Sequence, residues 1–187
     1  KRIEISKRVT VVDKAQVQKS GFEIYDCRMS EYALVWTESN ILQGTWNVWC
    51  ASVIGMQIGQ PFKVASGDSD WELPSLAAVG RHIYWQMRPS AEGNATDQMS
   101  TVMTAHIASP NNVKEIYSSN GRFCTPIYAS NKGIVITPRH PESRSNYQLT
   151  YISEEDGQVR DTMTLPSLMT PLEAGYGTYG FTFCTTF

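Results

Sequence analysis

Short apolar runs of strand length, separated by polar turns, recur along the whole chain. Tyr32–Thr37 (YALVWT), His82–Met87 (HIYWQM) and Gly133–Thr137 (GIVIT) are the densest. Runs of this kind suit strands covered on both faces. Each is followed by a second β-prone stretch, at Trp46–Ile54, Ser100–Ala108 and Tyr147–Ser153. A third follows at Gln60–Ala65, Val113–Ser118 and Gln158–Leu165. The turns between second and third stretches are Gly55-Met56, Pro110-Asn111-Asn112 and Glu154-Glu155-Asp156-Gly157; the Asp-Gly of the last is a strong hairpin signal. A fourth dense run, Tyr179–Phe187, closes the chain. Ahead of the first repeat, residues 2–12 (RIEISKRVTVV), the Asp13-Lys14 turn and a short alternating piece to Lys19 predict a hairpin. No segment keeps helical period over three turns. Ser39–Thr45, Arg88–Gln98 and Arg139–Asn146 are polar and read as surface loops.

The runs are copies of one unit. Starts at Phe22, Trp71, Phe123 and Met169 lie 49, 52 and 46 residues apart, and fourteen residues after each come Trp36, Trp85, Thr137 and Phe183. Short antiparallel strands repeated at this period predict the blades of a β-propeller, small four-stranded sheets packed face to face around an axis. The fold class is therefore all-β. The expected division is a half blade at 1–20, repeats at 21–70, 71–122 and 123–168, and a half blade at 169–187. The densest run of each repeat, at Leu34, Ile83, Val135 and Phe181, is assigned to the innermost strand because it needs cover on both sides. Two closures fit. The half blades could complete one ring of four blades, or the chain could be a slice of a propeller of six to eight. The start on Lys1 and the end on Phe181-Thr182-Phe183-Cys184 favour the slice. Its exposed end strands would then ask for a second fragment or a second copy.

The copy Trp71-Glu72-Leu73-Pro74…Gly80…Ile83-Tyr84-Trp85 resembles the TolB-like propeller repeat: an apolar residue, a Pro, a short turn, then an apolar run ending in Trp. Phe123…Pro126…Gly133…Val135-Ile136 carries the same pattern. Phe22 has Tyr25 where the Pro belongs, Met169 has its Pro at Pro171, and the acidic SPDG-type turns of the family are lacking. The resemblance implies a bacterial, extracytoplasmic propeller of six to eight blades.

Composition narrows the function classes. Charged residues make up 18% of the 187 residues and the net charge is −2. The charge content is below the usual quarter, which excludes a disordered chain. The balance gives no electrostatic case for nucleic acid or an anionic membrane. No apolar run approaches the roughly 20 residues of a membrane span, and no signal peptide is seen. Cys27, Cys50, Cys124 and Cys184 form no CxxC pair and fall at unrelated repeat offsets, so they read as small core residues. A Cys27–Cys50 bridge stays open.

The candidate chemistry is sparse. His82, His106 and His140 could in principle ligate zinc. His82 and His140 flank different inner strands and His106 lies on another strand, so scattered histidines are the expectation. Asp68, Asp70 and Glu72 cluster, with Asp97 in another loop, but without EF-hand spacing. They read as a polar turn, and no cofactor or structural calcium is indicated. Arg139, His140 and Arg144 form a basic loop diluted by Glu142. Trp46, Trp49, Trp71 and Trp85, with Tyr84 and Tyr128, read as packing between sheets; Trp46, beside a loop, is the candidate for an exposed aromatic surface. Asn94-Ala95-Thr96 matches a glycosylation acceptor, a tripeptide common by chance. No GxSxG, HExxH, P-loop or post-strand GxGxxG is present.

Repeat symmetry gives one ligand-site expectation. Glu31, Arg81, Lys132 and Thr178 share one repeat offset or its neighbour, just ahead of the dense strands, and should form a ring on one axial face. The function expected is a non-catalytic propeller that binds a protein or peptide outside the cytoplasm. The alternatives are a hydrolase or lyase acting on glycans or peptides, and a sensor domain of a membrane-anchored protein.

Overall fold

The computed structural model describes residues 23–55, 57–91, 99–119, 121, 123–143 and 145–186. The expected hairpin at 2–19, Phe22, Asp97, Asn94-Ala95-Thr96 and Arg144 lie outside the described residues. Within them every regular element is a strand. In chain order these are β1 (Glu23–Met29), β2 (Ala33–Asn40), β3 (Thr45–Ile54), β4 (Gln57–Ile58), β5 (Phe62–Gly67), β6 (Ser75–Val79), β7 (His82–Met87) and β8 (Ser100–His106). They continue as β9 (Lys114–Ser119), β10 (Tyr128–Ser130), β11 (Gly133–Ile136), β12 (Gln148–Ser153), β13 (Val159–Thr164), β14 (Thr170–Gly177) and β15 (Gly180–Thr186).

Antiparallel pairing sorts them into four sheets. The first runs β1-β2-β3, with β4 and β5 both on β3; the second is β6-β7-β8-β9, the third β10-β11-β12-β13, and the fourth β14-β15. The sheets stack in chain order. β1 packs on β6, β6 on β10, and β10 on β14. The first strands of successive sheets thus approach one another most closely, as the strands nearest the axis of a propeller do. This corrects the sequence assignment of Leu34, Ile83, Val135 and Phe181 to innermost strands. Those residues lie on β2, β7, β11 and β15, each second in its sheet. The runs of β2, β7 and β11 are apolar because they are covered on both faces, not because they line the axis, and β15 is largely exposed.

Strand alternation builds the core. On β6 and β7, Leu76, Ala78, Ile83 and Trp85 face the first sheet and join Ala33, Val35, Trp46, Val48 and Cys50. Their neighbours in sequence, Ala77, Val79 and Tyr84, point the other way and meet Phe123, Ile127, Ile134, Ile136 and Ile152. Two buried layers therefore share one sheet between them, as the period of two requires. A side chain the size of Ile83 or Ile134 contributes about 1.5–3 kcal/mol by such burial. The third and fourth sheets join through the stacked rings of Tyr151 and Tyr176, 4.0 Å between centroids. The Tyr128 hydroxyl adds a hydrogen bond to the carbonyl of Leu172, at 2.9 Å.

Trp46 is the second correction. It is buried, and its Nε1 donates to the carbonyl of Asp68 at 3.2 Å. It pairs in register with Gly67 on β5, and the missing side chain there lets the indole lie flat over the strand. The cysteines are free thiols; Cys50 is buried, Cys27 and Cys124 half-buried, and Cys184 exposed, so the core reading fails for Cys184.

Candidate ligand-binding cleft

The turns that join first to second strands gather at one end of the stack. Ser30, ahead of β2, donates its hydroxyl to the carbonyl of Gly80 at 2.6 Å, tying the first turn to the second. The Ser130 hydroxyl likewise bridges to the backbone of Tyr176, whose N–H reaches it at 2.7 Å. Two adjoining clefts open among these turns. One, of about 750 Å³, is lined by Glu31, Tyr32, Val53, Ile54, Arg81 and Ile107, with Ser52, Gly55 and Ala108. The other, of about 560 Å³, is lined by Tyr32, Arg81, His82, His106, Lys132 and Glu154, with Gly80, Ser153 and Glu155. Tyr32 and Arg81 belong to both. The Arg81 guanidinium lies over the Tyr32 ring, 4.8 Å from its centroid, and this pair forms the partition.

Of the four symmetry-related residues, Glu31 and Arg81 share the first cleft, Arg81 and Lys132 the second, and Thr178 lines neither. The strand pairings Val79↔His82, Ser130↔Gly133 and Gly177↔Gly180 leave two-residue turns. In these, Tyr179, not Thr178, occupies the place of Arg81 and Lys132. Tyr179 is fully exposed.

His82 and His106, expected apart, are a cross-strand pair. They stand opposite one another on β7 and β8, with ring centroids 5.0 Å apart. The Ala108 N–H donates to Nδ1 of His106 at 3.2 Å, which fixes the Nε2–H tautomer. Burial, together with His106 and Lys114, holds the His82 pKa below its ordinary value, and Glu154 pulls the other way. His140 sits in the loop after β11, where its Nδ1 accepts from the N–H of Glu142.

Glu154 is the residue that sequence reasoning missed most plainly. It follows β12, its N–H donates to the Lys132 carbonyl at 2.9 Å, and its carboxylate packs on Gly80. Gly80 has φ +52 and admits this approach because it has no Cβ. One carboxylate oxygen, Oε2, is fully shielded and has no hydrogen-bond partner. Arg81 and Lys132 make no ion pair among the described residues. The cleft therefore holds charges of both signs that form no ion pair among the described residues, beside a second hollow that carries Val53, Ile54 and Ile107.

The other candidates are structural. Glu72 pairs with Arg88 at 2.9 Å, and the Asp70 N–H caps on Oδ1 of Asp68 at 3.0 Å. No group of three metal-ligating side chains occurs among the described residues. Arg139 stacks over the Tyr147 ring, 4.0 Å from its centroid. Trp36 and Trp49 stack with centroids 6.4 Å apart, and Trp85 and Tyr84 are buried.

No protein-family model matches the sequence, and no curated protein matches it. Solved structures match its shape. The β-propeller domain of the Trilobed protease from Pyrococcus furiosus, described as having an open velcro topology, superposes with a TM-score of 0.51 at 13% identity, over 81% of this chain and 46% of that one. A structure from a study of two prolyl endopeptidases gives 0.52 at 11% identity, over 76% of this chain and 20% of that one. Prolyl oligopeptidase B from Galerina marginata, bound to a 35mer hydrolysis and macrocyclization substrate, gives 0.52 at 11% identity, over 89% and 26%. At such identities the likeness is one of fold. The chain is all-β and forms blades of a β-propeller, and it spans less than half the length of the structures it resembles.

Proposed function

We propose that this chain is a non-catalytic propeller module, TolB-like in its repeat, that binds a protein or peptide partner at the turn end, outside the cytoplasm. The observation that carries the reading is the pair of adjoining clefts divided by Arg81 and Tyr32. One side offers Val53, Ile54 and Ile107 beside Glu31 and Arg81, the other carries Arg81, Lys132, Glu154 and Glu155, and together they reach turns of three successive sheets. An extended peptide needs this combination: a pocket for alternate side chains and fixed charges to set its register. Cations that are in no ion pair stay open to a ligand's anionic group, more so than cations already held in a surface pair.

Panning the purified chain against displayed random peptides, with free ends and as closed loops, tests the reading. Selected peptides should lose binding to Arg81→Glu and Lys132→Glu variants that remain folded. Peptides that bind both variants as well as the parent would place the site elsewhere. A second reading, a hydrolase or lyase, draws on Glu154, Glu155 and two histidines sharing one cleft. Cleavage of a selected peptide would favour it; binding without turnover favours the module.

A further inference from the structure

The chemistry of the clefts specifies which part of a peptide they fit. We propose that they capture a peptide's C-terminal residue, an inference that rests on the binding reading above. Its carboxylate lies between Arg81 and Lys132, its last backbone N–H donates to the Glu154 carboxylate, and its apolar side chain enters the hollow of Tyr32, Ile54 and Ile107.

Three observations converge on that residue. Arg81 and Lys132 come from equivalent turns of neighbouring sheets, line one cleft and make no ion pair among the described residues. Arg81 is also held in place: its guanidinium rests on Tyr32, and its carbonyl accepts from the Ile107 N–H at 2.9 Å. A stacked guanidinium keeps its in-plane N–H groups available for a carboxylate fork. Second, Glu154 lines the same cleft. With Oε2 turned in against Gly80 and without a donor among the described residues, the carboxylate is short of donors, and a ligand N–H offered from the cleft is favourable. Third, the adjoining cleft shares Tyr32 and Arg81 with the charged one and offers Val53, Ile54 and Ile107. Ile54 is exposed there.

A C-terminal residue carries a carboxylate, an N–H donor and a side chain on a single Cα. The acidic side chain of an internal Asp or Glu provides the charge, but it sets its N–H one or two methylenes away and has no second, apolar branch. A phosphate brings about two charges and would meet Glu154 and Glu155 in the same cleft. A single carboxylate meets that repulsion with about half the charge and brings an adjacent donor for Glu154.

The test uses fluorescein-labelled Gly-Ala-Ala-Leu as the free acid and as the C-terminal amide, followed by fluorescence anisotropy on the whole chain. The acid should bind about tenfold or more tightly than the amide, the worth of a charge-assisted hydrogen-bonded contact. Arg81→Met and Lys132→Met should each remove most of that difference while leaving circular dichroism unchanged. Ile107→Ser should weaken the Leu-ended peptide more than a Gly-ended one. Equal binding of acid and amide overturns the inference and leaves peptide binding standing. So does recovery of closed-loop peptides alone in the panning. Failure of the acid to bind at all also overturns it, whatever the panning finds.

Discussion

His82 and His106 face each other across β7 and β8, their ring planes crossing at 72° with centroids 5.0 Å apart. The pair sits in the wall of the charged cleft, near Glu154, Lys114, Arg81 and Lys132. The folded state holds the His82 pKa below the ordinary 6.5, first by burial and then by His106. The unfolded chain then takes up the proton more readily than the folded one. The contribution to stability is whole above the unfolded pKa, falls as pH drops through 6.5, and is lost below the folded value. The urea midpoint should fall between pH 7.5 and 5.5, and His82→Gln should flatten part of that fall. An identical slope in the variant would contradict the account.

Gly67 owes its place to Trp46. A Cβ at Gly67 would sit inside van der Waals contact of three atoms of the buried indole, which its Nε1 bond to Asp68 holds in place. Gly67→Ala should destabilise the chain by about 1–3 kcal/mol, the usual cost of overpacking. Gly177, where an added Cβ meets nothing, is the control. Gly177→Ala should change stability by no more than about 0.5 kcal/mol. Chemical denaturation followed by tryptophan fluorescence checks both, and equal effects would refute the packing.

The four thiols should report their surroundings. Burial pushes the Cys50 thiol up to about 12, and burial with Asp26 beside it pushes Cys27 to about 11. Cys184 is exposed on β15. Alkylation is by the thiolate. Native protein treated with iodoacetamide at pH 8 should therefore be modified first at Cys184 and last at Cys50, as read by peptide mass spectrometry. Labelling of Cys50 at the rate of Cys184 would contradict the packing of the first sheet.

The sequence made the twice-covered strands legible and hid those nearest the axis. His82–Met87 is β7 with the same bounds, and Ser100 and Gln158–Leu165 fall within a residue or two of β8 and β13. The sequence pattern assigns no strand over β6 or β10. Ser75–Val79 and Tyr128–Ser130 are short and carry Ala77, Ala78 and Ala129, so neither stands out as an apolar run. Apolar density therefore marks the middle of a blade, not its inner edge. The cleft was half legible. Arg81 and Lys132 repeat with the turns, so symmetry put them at one end of the stack, where they share a cleft. Thr178 was one place off because turn length, not repeat offset, sets which residue stands out. Glu154 and His106 come from the ends of β12 and β8. Their approach to the turns depends on strand register across long loops, which spacing alone does not encode.

The central claim is that the turn end holds a peptide's C-terminal residue against Tyr32 and Arg81. Isoleucine methyl NMR during titration with Gly-Ala-Ala-Leu free acid tests it most directly. Ile54 and Ile107 line the cleft, whereas Ile134 and Ile136 are buried between the second and third sheets. The account predicts saturable shifts at Ile54 and Ile107 that vanish in Arg81→Glu. Shifts confined to other isoleucines, or none at Ile54 and Ile107 at saturating peptide, would contradict it.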